Sequence, residues 1–294
     1  MAGGKSAPKS IKAVERLLRA GTNEHYDDAA LYDFEYDDQR DDLGWYRARA
    51  RESSTPHPIL ELGAGTGRIT VPLLEDGHRV VAVDRKQSML DRLKTKVQRL
   101  DDARLKIVEG DICELPVDDH SMGMVLAPFN VLMHLYTWDR LLRCFEEVAR
   151  ALRPGGTFCF DVLLPDLEWL LLDPDLHHCR TRFIHPETKR AMVYSTNHTY
   201  DHETQVAHIR IHYHDAIGRG ARVRPEVPPR KTVQLAHRQI WPEELRCLLH
   251  LAGLRLRSLE GDFEGDRLTQ DAESQVVVAQ KPPTKHGHKK SGQR

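Results

Sequence analysis

The sequence predicts an α/β fold built on a doubly wound, mostly parallel sheet. Residues 59–62 form an apolar run that ends at Gly63, Gly65 and Gly67, three glycines spaced by single residues. Only glycine permits positive φ and a close backbone approach at such a turn from strand to helix. A second apolar run ends at Asp84, seventeen residues past Gly67. The regular alternation of strand-like and helix-like segments predicts parallel βαβ units with right-handed crossovers.

The elements of the core follow from the apolar runs and the turn residues between them. Strands are predicted near residues 58–62, 79–84, 104–108, 122–127 and 156–162, and helices near 66–76, 87–100 and 138–152. Residues 58–162 are therefore expected to form the core domain, because strands and helices alternate there at the spacing of βαβ units. Residues 21–57 are expected to form an N-terminal helical cap. Residues 1–20 are expected to be a basic flexible tail, although their apolar stripe also permits a helix.

Residues 163–235 depart from this alternation and are predicted to be an insertion. Within them, residues 192–200 and 206–214 alternate between apolar and polar with period two, which predicts a β-hairpin. Glycines and prolines in residues 218–230 predict a loop after the hairpin.

Residues 236–281 are expected to complete the core sheet. Pro242 lies at an early position of a predicted helix, where proline is well tolerated. Residues 254–260 and 274–279 then predict the last two strands, paired antiparallel. Residues 282–294 are expected to form a basic disordered tail.

The composition limits the class of protein and its location. With 40% hydrophobic and 30% charged residues, the chain resembles an ordinary soluble globular protein. No apolar run approaches the roughly 20 residues of a membrane span, and the N-terminus lacks the apolar core of a signal peptide. The five cysteines form no C-x-x-C pair, which argues against a disulfide framework or a zinc site and favours the cytoplasm.

The charge distribution bears on partners. Lysine and arginine are concentrated in both tails, so the body between them is acidic. Basic tails can touch nucleic acid or an acidic partner, or can simply solubilise the chain. Because neither tail has interleaved aromatic residues, we expect solubilising tails and no nucleic-acid partner. A homodimer is compatible with the sequence.

The spacing at the glycine loop distinguishes between nucleoside cofactors. A dinucleotide-binding loop reads G-x-G-x-x-G and holds a pyrophosphate. Here the spacing is G-x-G-x-G, and Glu61 lies two residues before the first glycine. A carboxylate would repel a pyrophosphate but would suit a cofactor with a cationic amino-acid tail. Asp84, at the tip of the neighbouring strand, is well placed to accept both hydroxyls of a ribose.

Five segments in order resemble the motifs of class I S-adenosylmethionine (SAM) methyltransferases. Residues 61–67 resemble motif I, E-x-G-x-G-x-G, and Asp84 resembles the ribose-binding acid of motif II. Residues 109–112 resemble the segment whose acid faces the adenine amino group. Residues 125–130 resemble the end of the fourth strand, and residues 152–158 contain the L-x-P-G-G turn. The resemblance implies a Rossmann-like sheet of seven strands, with the last strand antiparallel and a β-rich insertion after strand 5 that roofs the active site.

The same resemblance implies an enzyme that uses SAM and releases S-adenosylhomocysteine. The residues that it assigns to the cofactor are Tyr32, Glu61, Gly63, Ala64, Gly65, Gly67, Arg68, Asp84, Arg85, Met89, Gly110, Asp111, Ile112, Ala127 and Phe129. Tyr32 enters because residues 32–36 resemble the Y-D-x-x-Y segment that folds over the SAM methionine. Simple packing of an N-terminal helix on the sheet is the alternative for that segment.

The residues that end and follow the fourth strand indicate which kind of acceptor is methylated. Enzymes that methylate amines of nucleic-acid bases carry [N/D]-P-P-[Y/F] there, whereas residues 127–130 read Ala-Pro-Phe-Asn, so base methylation is not expected. Residues 129–135 instead resemble the F-x-x-x-x-H-L segment of amino-sugar and glycine or sarcosine N-methyltransferases. The resemblance makes His134 the general base or a substrate anchor, with Asn130 and Tyr36 also facing the acceptor. A histidine that only hydrogen-bonds the loop is the alternative.

These features predict methyl transfer to a small-molecule acceptor, an amine or a hydroxyl, with nitrogen favoured over oxygen. One alternative is a methyltransferase that reaches RNA or protein through the basic tails. Another is a scaffold with the same fold and no turnover.

The hairpin is rich in histidine. On its second strand His208, Arg210, His212 and His214 share one face. Alternate strand residues can converge on a metal ion, but we expect a solvated polar face and no metal.

Overall fold

The structure is a computed structural model, and the predicted basic tails fall largely outside the residues that it describes. It describes residues 11–36, 40–53, 56–98, 100, 103–220, 222–223 and 227–283. Within residues 1–20, the apolar stripe forms the helix that the sequence permits.

Helices and strands alternate through most of the described chain. The helices are α1 (Ile11–Asn23), α2 (Ala29–Tyr36), α3 (Asp41–Glu52), α4 (Thr70–Glu75), α5 (Gln87–Val97), α6 (Trp138–Ala151), α7 (Leu167–Leu170) and α8 (Pro242–Leu251), with short 3-10 turns at Glu24–Tyr26 and Val131–His134. The strands are β1 (Ile59–Leu62), β2 (Val80–Asp84), β3 (Leu105–Glu109), β4 (Met122–Ala127), β5 (Leu152–Leu163), β6 (His178–Ile184), β7 (Ala191–Asp201), β8 (Val206–Asp215), β9 (Lys231–Arg238), β10 (Arg255–Glu260) and β11 (Ser274–Gln280).

Seven strands form the core sheet in the order β10-β11-β5-β4-β1-β2-β3. Strand β11 pairs antiparallel with both neighbours, and the other pairs are parallel. Strands β1 and β4 are buried along their whole length because helices cover both faces of the sheet. The predicted Rossmann-like sheet with an antiparallel last strand is confirmed.

Two boundaries of the core differ from the prediction for local reasons. Strand β5 begins at Leu152, because Leu152 pairs with Met122 before a register shift, so the strand includes the glycine turn. Helix α4 begins at Thr70, because Gly67 has a φ of +88° and keeps the preceding residues in the loop. The apolar pattern does not reveal either feature.

The insertion is a second sheet of four antiparallel strands, in the order β6-β7-β8-β9. The predicted hairpin corresponds to β7 and β8, and the two outer strands, β6 and β9, were not predicted. Strand β6 is mostly exposed, so its residues carry no apolar alternation. Strand β9 follows directly on the predicted loop and is only eight residues long.

The polar face of this sheet is only half-buried at His208 and Arg210 but is buried at His212 and His214, so the expected solvated face is wrong for those two histidines. His212 and His214 are each 8% exposed. Residues 174–177 cover them: the carbonyl of Pro174 accepts a hydrogen bond from Arg210, and the ring of His177 stacks on His212 at 4.5 Å. Among the described residues, no group of three or more His, Cys, Asp or Glu side chains is arranged to hold a metal ion.

Within the described part of the chain, none of the helices combines the length and the apolar character needed to cross a bilayer.

Helix α1 packs against β9, at the edge of the second sheet. The approach is close at Gly21, where an added Cβ would lie 2.5 Å from the Cβ of Ala236 and 2.7 Å from its backbone nitrogen. The turn after α1 also contacts β9, because the Gln234 backbone amide donates a hydrogen bond to the Glu24 carboxylate at 2.8 Å. The second sheet and α1 therefore pack together as one unit.

Replacing Gly21 with alanine is expected to lower the free energy of unfolding by about 1–3 kcal/mol, the usual cost of overpacking. Chemical denaturation of purified protein measures the change. Gly44→Ala is the matched control: an added Cβ there meets nothing within 4 Å, so the helix is expected to gain up to about 1 kcal/mol. Equal effects of the two substitutions would contradict the close packing of α1 on β9.

Candidate active site

A cavity of about 590 Å³ lies where the carboxyl ends of β1 to β4 meet. Ligands of doubly wound sheets bind at this edge. The glycine loop, Asp84 and the residues after β3 and β4 line its floor, and Leu18 and Thr22 of α1 line the opposite wall. A larger, acidic cavity of about 790 Å³ lies beyond Phe129 and contains neither the glycine loop nor Asp84. The first cavity is therefore the candidate site.

The glycine loop has the geometry that its sequence predicts. Gly63, Gly65 and Gly67 have φ values of +64°, +55° and +88°. A Cβ on Gly63 would lie 2.2 Å from a methyl group of Val131, and one on Gly67 would lie 2.3 Å from a methyl group of Leu93. Positive φ and close neighbours therefore both require glycine.

Asp84 ends β2 with both carboxylate oxygens hydrogen-bonded. Oδ2 accepts the amide of Gly65 at 2.8 Å, and Oδ1 accepts the amide of Lys86 at 2.7 Å. Burial raises the pKa of Asp84, and these backbone amides oppose that shift. The two hydrogen bonds tie the tip of β2 to the glycine loop and fix the orientation of the carboxylate at the cavity wall.

Asp111 lines the cavity just after the end of β3. Its carboxylate accepts the Cys113 amide at 2.9 Å and the Arg140 guanidinium at 2.7 Å. Burial alone would raise the pKa of Asp111, but the hydrogen bonds and the charge of Arg140 outweigh it and lower the pKa. Ile112 and Met89 line the cavity beside this carboxylate, so this end combines apolar walls with one ionised acceptor.

Most of the residues predicted to bind the cofactor line this cavity. They are Tyr32, Gly63, Gly65, Asp84, Arg85, Met89, Gly110, Asp111, Ile112 and Phe129. The predicted residues that do not line it are Glu61, Ala64, Gly67, Arg68 and Ala127.

Glu61 lies beneath the loop, so the expectation that it faces the cofactor tail does not match the structure. It is 1% exposed, and the Thr70 hydroxyl donates to its Oε2 at 2.5 Å. Burial raises the pKa of Glu61 to about 8, and the bond from Thr70 offsets only part of that shift. The side chain of Glu61 therefore joins β1 to α4.

Arg68 also acts from outside the cavity. Its guanidinium donates two hydrogen bonds to Asp42 of α3, at 2.5 and 2.6 Å, and lies 4.8 Å from the centre of the Phe129 ring. It thereby connects α3 to the loop after β4.

The loop after β4 is held in an unusual conformation. Phe129 and Asn130 have φ values of +59° and +63°, which non-glycine residues rarely adopt. Asp161 accepts the Phe129 amide at 2.8 Å and the Tyr46 hydroxyl at 2.6 Å. Burial raises the pKa of Asp161 to about 6, against the lowering effect of these two bonds. Such strain is frequent at functional sites.

Asn130 and Tyr36, predicted to face the acceptor, do not line the candidate site. Asn130 Oδ1 accepts the Leu163 amide at 2.8 Å, and the residue lies at the acidic second cavity. The Tyr36 hydroxyl is 3.1 Å from His25 Nε2, and its ring packs edge-on against Phe129 at 5.2 Å. Both residues support the loop after β4 and the N-terminal cap instead.

His134 lines the same cavity as Asp84 and Asp111. Its Nε2 is 2.7 Å from the Tyr26 hydroxyl, and its Nδ1 is buried without a hydrogen-bond partner among the described residues. Burial lowers the pKa of His134 well below 6.5, and His237, His25 and Arg85 add to that shift. The imidazole is therefore neutral at physiological pH.

Sequence reasoning missed the cavity residues that surround His134. Tyr26 and Thr22 come from the N-terminal cap, and Tyr136 follows the 3-10 turn. The hydroxyls of Thr22 and Tyr136 are 2.8 Å apart. The only signal in the sequence is the aromatic composition of residues 21–50, which does not tell which ring reaches the site.

His25, a buried histidine that packs against Tyr26, predicts that the fold loses stability in acid. Burial, aided by Lys231, lowers the pKa of His25 to about 4. A histidine whose pKa is lowered by folding contributes stability at pH values above 6.5, its pKa in the unfolded chain. That contribution is lost as the pH falls towards 4, its pKa in the folded protein. Between pH 7 and pH 5 the loss attributable to His25 is about 2 kcal/mol.

The measurement is chemical unfolding of wild type and His25→Gln at pH 7 and pH 5. Half-buried carboxyl groups with raised pKa values, such as Glu35 at about 7, change stability with the opposite sign, so only the difference between the two proteins isolates His25. We expect the advantage of the wild type to shrink by about 2 kcal/mol at pH 5. The exposed His250→Gln serves as control, and the same shrinkage there would contradict the assignment.

Comparison with known proteins matches this chain to methyltransferases. Residues 59–156 match a family described as methyltransferase domain. An uncharacterised methyltransferase of Mycobacterium tuberculosis is 40% identical over 98 residues, which are 33% of this chain and 36% of that protein. The chain thus spans about a third of the length of that relative. A cypemycin N-terminal methyltransferase of a Streptomyces species is 27% identical over 226 residues, 76% of this chain and 82% of that protein.

A solved structure resembles the chain over most of its length. The CcbJ methyltransferase from Streptomyces caelestis has a TM-score of 0.66 at 25% identity, covering 82% of this chain and 90% of that one. The predicted resemblance to class I SAM-dependent methyltransferases is confirmed by this structure and by the methyltransferase domain model that residues 59–156 match. SAM is the cofactor of this class, as the glycine loop predicts.

Proposed function

We propose that this chain transfers a methyl group from SAM to a small-molecule acceptor, and that the acceptor atom is a nitrogen. When bound, SAM supplies a methyl group activated by a sulfonium. The task left to the protein is to align the acceptor, exclude water and manage the acceptor's proton. The residues of the cavity suit that task.

The observation that carries the proposal is the continuity of one cavity from Asp84 to His134. Asp84 and Asp111 offer carboxylates that can accept hydrogen bonds from a nucleoside. At Gly63 an added Cβ would clash with Val131, so glycine is needed in this part of the cavity wall. At about 590 Å³ the cavity has the size of small-ligand sites, with α1 as its wall. This volume favours a small acceptor over a macromolecule.

The protonation state of His134 favours nitrogen over oxygen. An alcohol or phenol must lose its proton as it attacks, and this requires a competent base. Burial keeps the pKa of His134 well below 6.5, which makes it a weak base. A neutral amine already has a free lone pair and needs no base. The name of the cypemycin relative, an N-terminal methyltransferase, agrees with a nitrogen acceptor.

The test is incubation of purified protein with SAM carrying an isotopically labelled methyl group. Pools of small amines, phenols, carboxylic acids, short peptides and RNA are offered separately, and products are detected by mass spectrometry. We expect label only in a small amine. Label in RNA or protein alone would contradict the proposal, as would the absence of label in every pool.

A truncated variant separates the small-molecule proposal from a macromolecular one. If basic tails guide the chain to RNA or protein, removing residues 1–10 and 284–294 should abolish turnover. The proposal expects turnover of the small amine to change less than about twofold, because the described residues that line the cavity lie between Leu18 and Arg140 and remain in the variant.

A further inference from the structure

The second sheet has a hydrophobic core of its own. Its buried residues are Leu31, Leu170, Met192, Ala207, Ile209, Ile211, Tyr213, Val233 and Leu235. They come from α2, α7 and strands β7 to β9, and none of them lies on a strand of the core sheet. We call α1, the 3-10 turn after it, α2 and β6 to β9 the second-sheet unit. Two units with separate hydrophobic cores can move relative to one another.

The candidate site is lined by both this unit and the core. Thr22 of α1, Tyr26 of the turn and Tyr32 of α2 line it from the second-sheet unit. The glycine loop and residues that end or follow β2, β3 and β4 line it from the core. A ligand that fills the cavity therefore contacts both units. Closure of two units around a ligand is a common way to sequester it from water.

Several contacts between the two units are polar. Asp33 of α2 accepts hydrogen bonds from Arg92 and Lys96 of α5, each at 2.7 Å. Asp27, between the turn and α2, forms an ion pair with Lys86 at 2.6 Å. Polar groups of this kind can exchange their partners for water when the units separate, and the hydrophobic core of each unit then stays intact.

Tyr136 joins the core to the second-sheet unit at the cavity wall. It follows the 3-10 turn after β4 and lines the cavity. Its hydroxyl is 2.8 Å from the hydroxyl of Thr22 on α1 and donates to the carbonyl of Ala236 on β9 at 3.3 Å. Both partners lie where α1 packs on β9, since Gly21 lies against Ala236. One hydroxyl of the core therefore contacts two elements of the other unit.

We propose that the second-sheet unit is a lid that opens to admit SAM and to release S-adenosylhomocysteine, and that the Tyr136 hydroxyl is the latch that holds it closed. Both partners of the latch are groups of the protein, so the latch needs no ligand in order to form. It therefore opposes opening during entry and during release alike. Lid opening involves only the cofactor, so it does not depend on the acceptor in the proposed function.

A latch has a kinetic signature that a contact with the ligand lacks. Loss of a hydrogen bond from protein to ligand speeds dissociation alone and weakens binding. Loss of a bond that closes the lid in both the free and the bound protein raises the open fraction of both. Association and dissociation then become faster by the same factor, and the affinity is unchanged. For one neutral hydrogen bond that factor is about 2 to 10.

Surface plasmon resonance with immobilised protein and S-adenosylhomocysteine measures both rates without turnover. We expect Tyr136→Phe to raise the association and dissociation rates by about 2- to 10-fold each, with Kd within about twofold of the wild type. Thr22→Val is expected to act in the same direction, and Thr22→Ser, which keeps the hydroxyl, to exchange the ligand more slowly than Thr22→Val. Tyr200→Phe is the matched control: Tyr200 lies on β7 and does not line the cavity, so wild-type rates are expected.

Two results would overturn the latch. Faster dissociation with an unchanged association rate in Tyr136→Phe would show that the hydroxyl only contacts the cofactor. Wild-type rates in both Tyr136→Phe and Thr22→Val would show that the hydrogen bond does not limit opening. Because neither measurement requires methylation, an acceptor screen without any product would overturn the proposed function and leave the latch standing.

Discussion

Asp84→Ala is expected to weaken SAM binding by at least about 100-fold. The carboxylate lies at the tip of β2 beside the glycine loop, where a ribose presents two hydroxyls. A hydrogen bond to a charged group contributes about 1.5–3 kcal/mol, so the loss of two costs about 3 kcal/mol or more. The substitution also removes the acceptor for the amides of Gly65 and Lys86. Isothermal titration with SAM measures the effect.

Two further variants interpret that result. Asp84→Asn keeps one acceptor oxygen and is expected to lose less affinity than alanine. Asp91→Ala changes an exposed carboxylate on α5 that does not line the cavity, and it is expected to bind SAM as the wild type does. Wild-type affinity in Asp84→Ala would show that the cofactor does not use the end of β2.

His134→Ala is expected to lower kcat by about 100-fold while leaving SAM affinity within about twofold. Removal of the imidazole takes away part of the cavity wall that would orient the acceptor, and loss of alignment alone can cost about 100-fold. His134 lies in the turn after β4, whereas Asp84 and Asp111 lie at the ends of β2 and β3, so we expect the nucleoside half of the site to be unaffected. Steady-state kinetics with the amine found in the acceptor screen, together with titration of SAM, measures both quantities.

The control for this variant is His120→Ala, a histidine outside the cavity that is hydrogen-bonded at the end of α6. Its kcat is expected to remain near that of the wild type. If His134→Ala kept full kcat, the residue would only support the loop, and the account of the acceptor end would be wrong.

The sequence predicts the cofactor half of the site well because that half is local in the chain. A strand, a glycine loop and the acid at the next strand tip lie within about 25 residues, and backbone geometry imposes the glycines and Asp84. Strand ends of a parallel sheet meet at one edge, so Asp111 and His134 follow from the topology. Asp84, Asp111 and His134 line the same cavity.

The acceptor half is harder to predict because distant segments build it. Tyr26, which reaches His134, follows α1, and α1 packs closely on β9 at Gly21, a residue that belongs to no motif. The side chain of Glu61 is held beneath the glycine loop by a hydrogen bond from the Thr70 hydroxyl, nine residues further along the chain. Alternation along a strand identifies a face but does not tell what covers it, as the buried histidines of β8 show.

The most direct test of the account is an experimental structure of the protein with S-adenosylhomocysteine. We expect the ribose hydroxyls on Asp84, the adenine between Met89 and Ile112 with its amino group towards Asp111, and the sulfur facing the Tyr26–His134 end of the cavity. Density in the acidic cavity beyond Phe129, or a sulfur directed away from His134, would contradict the account.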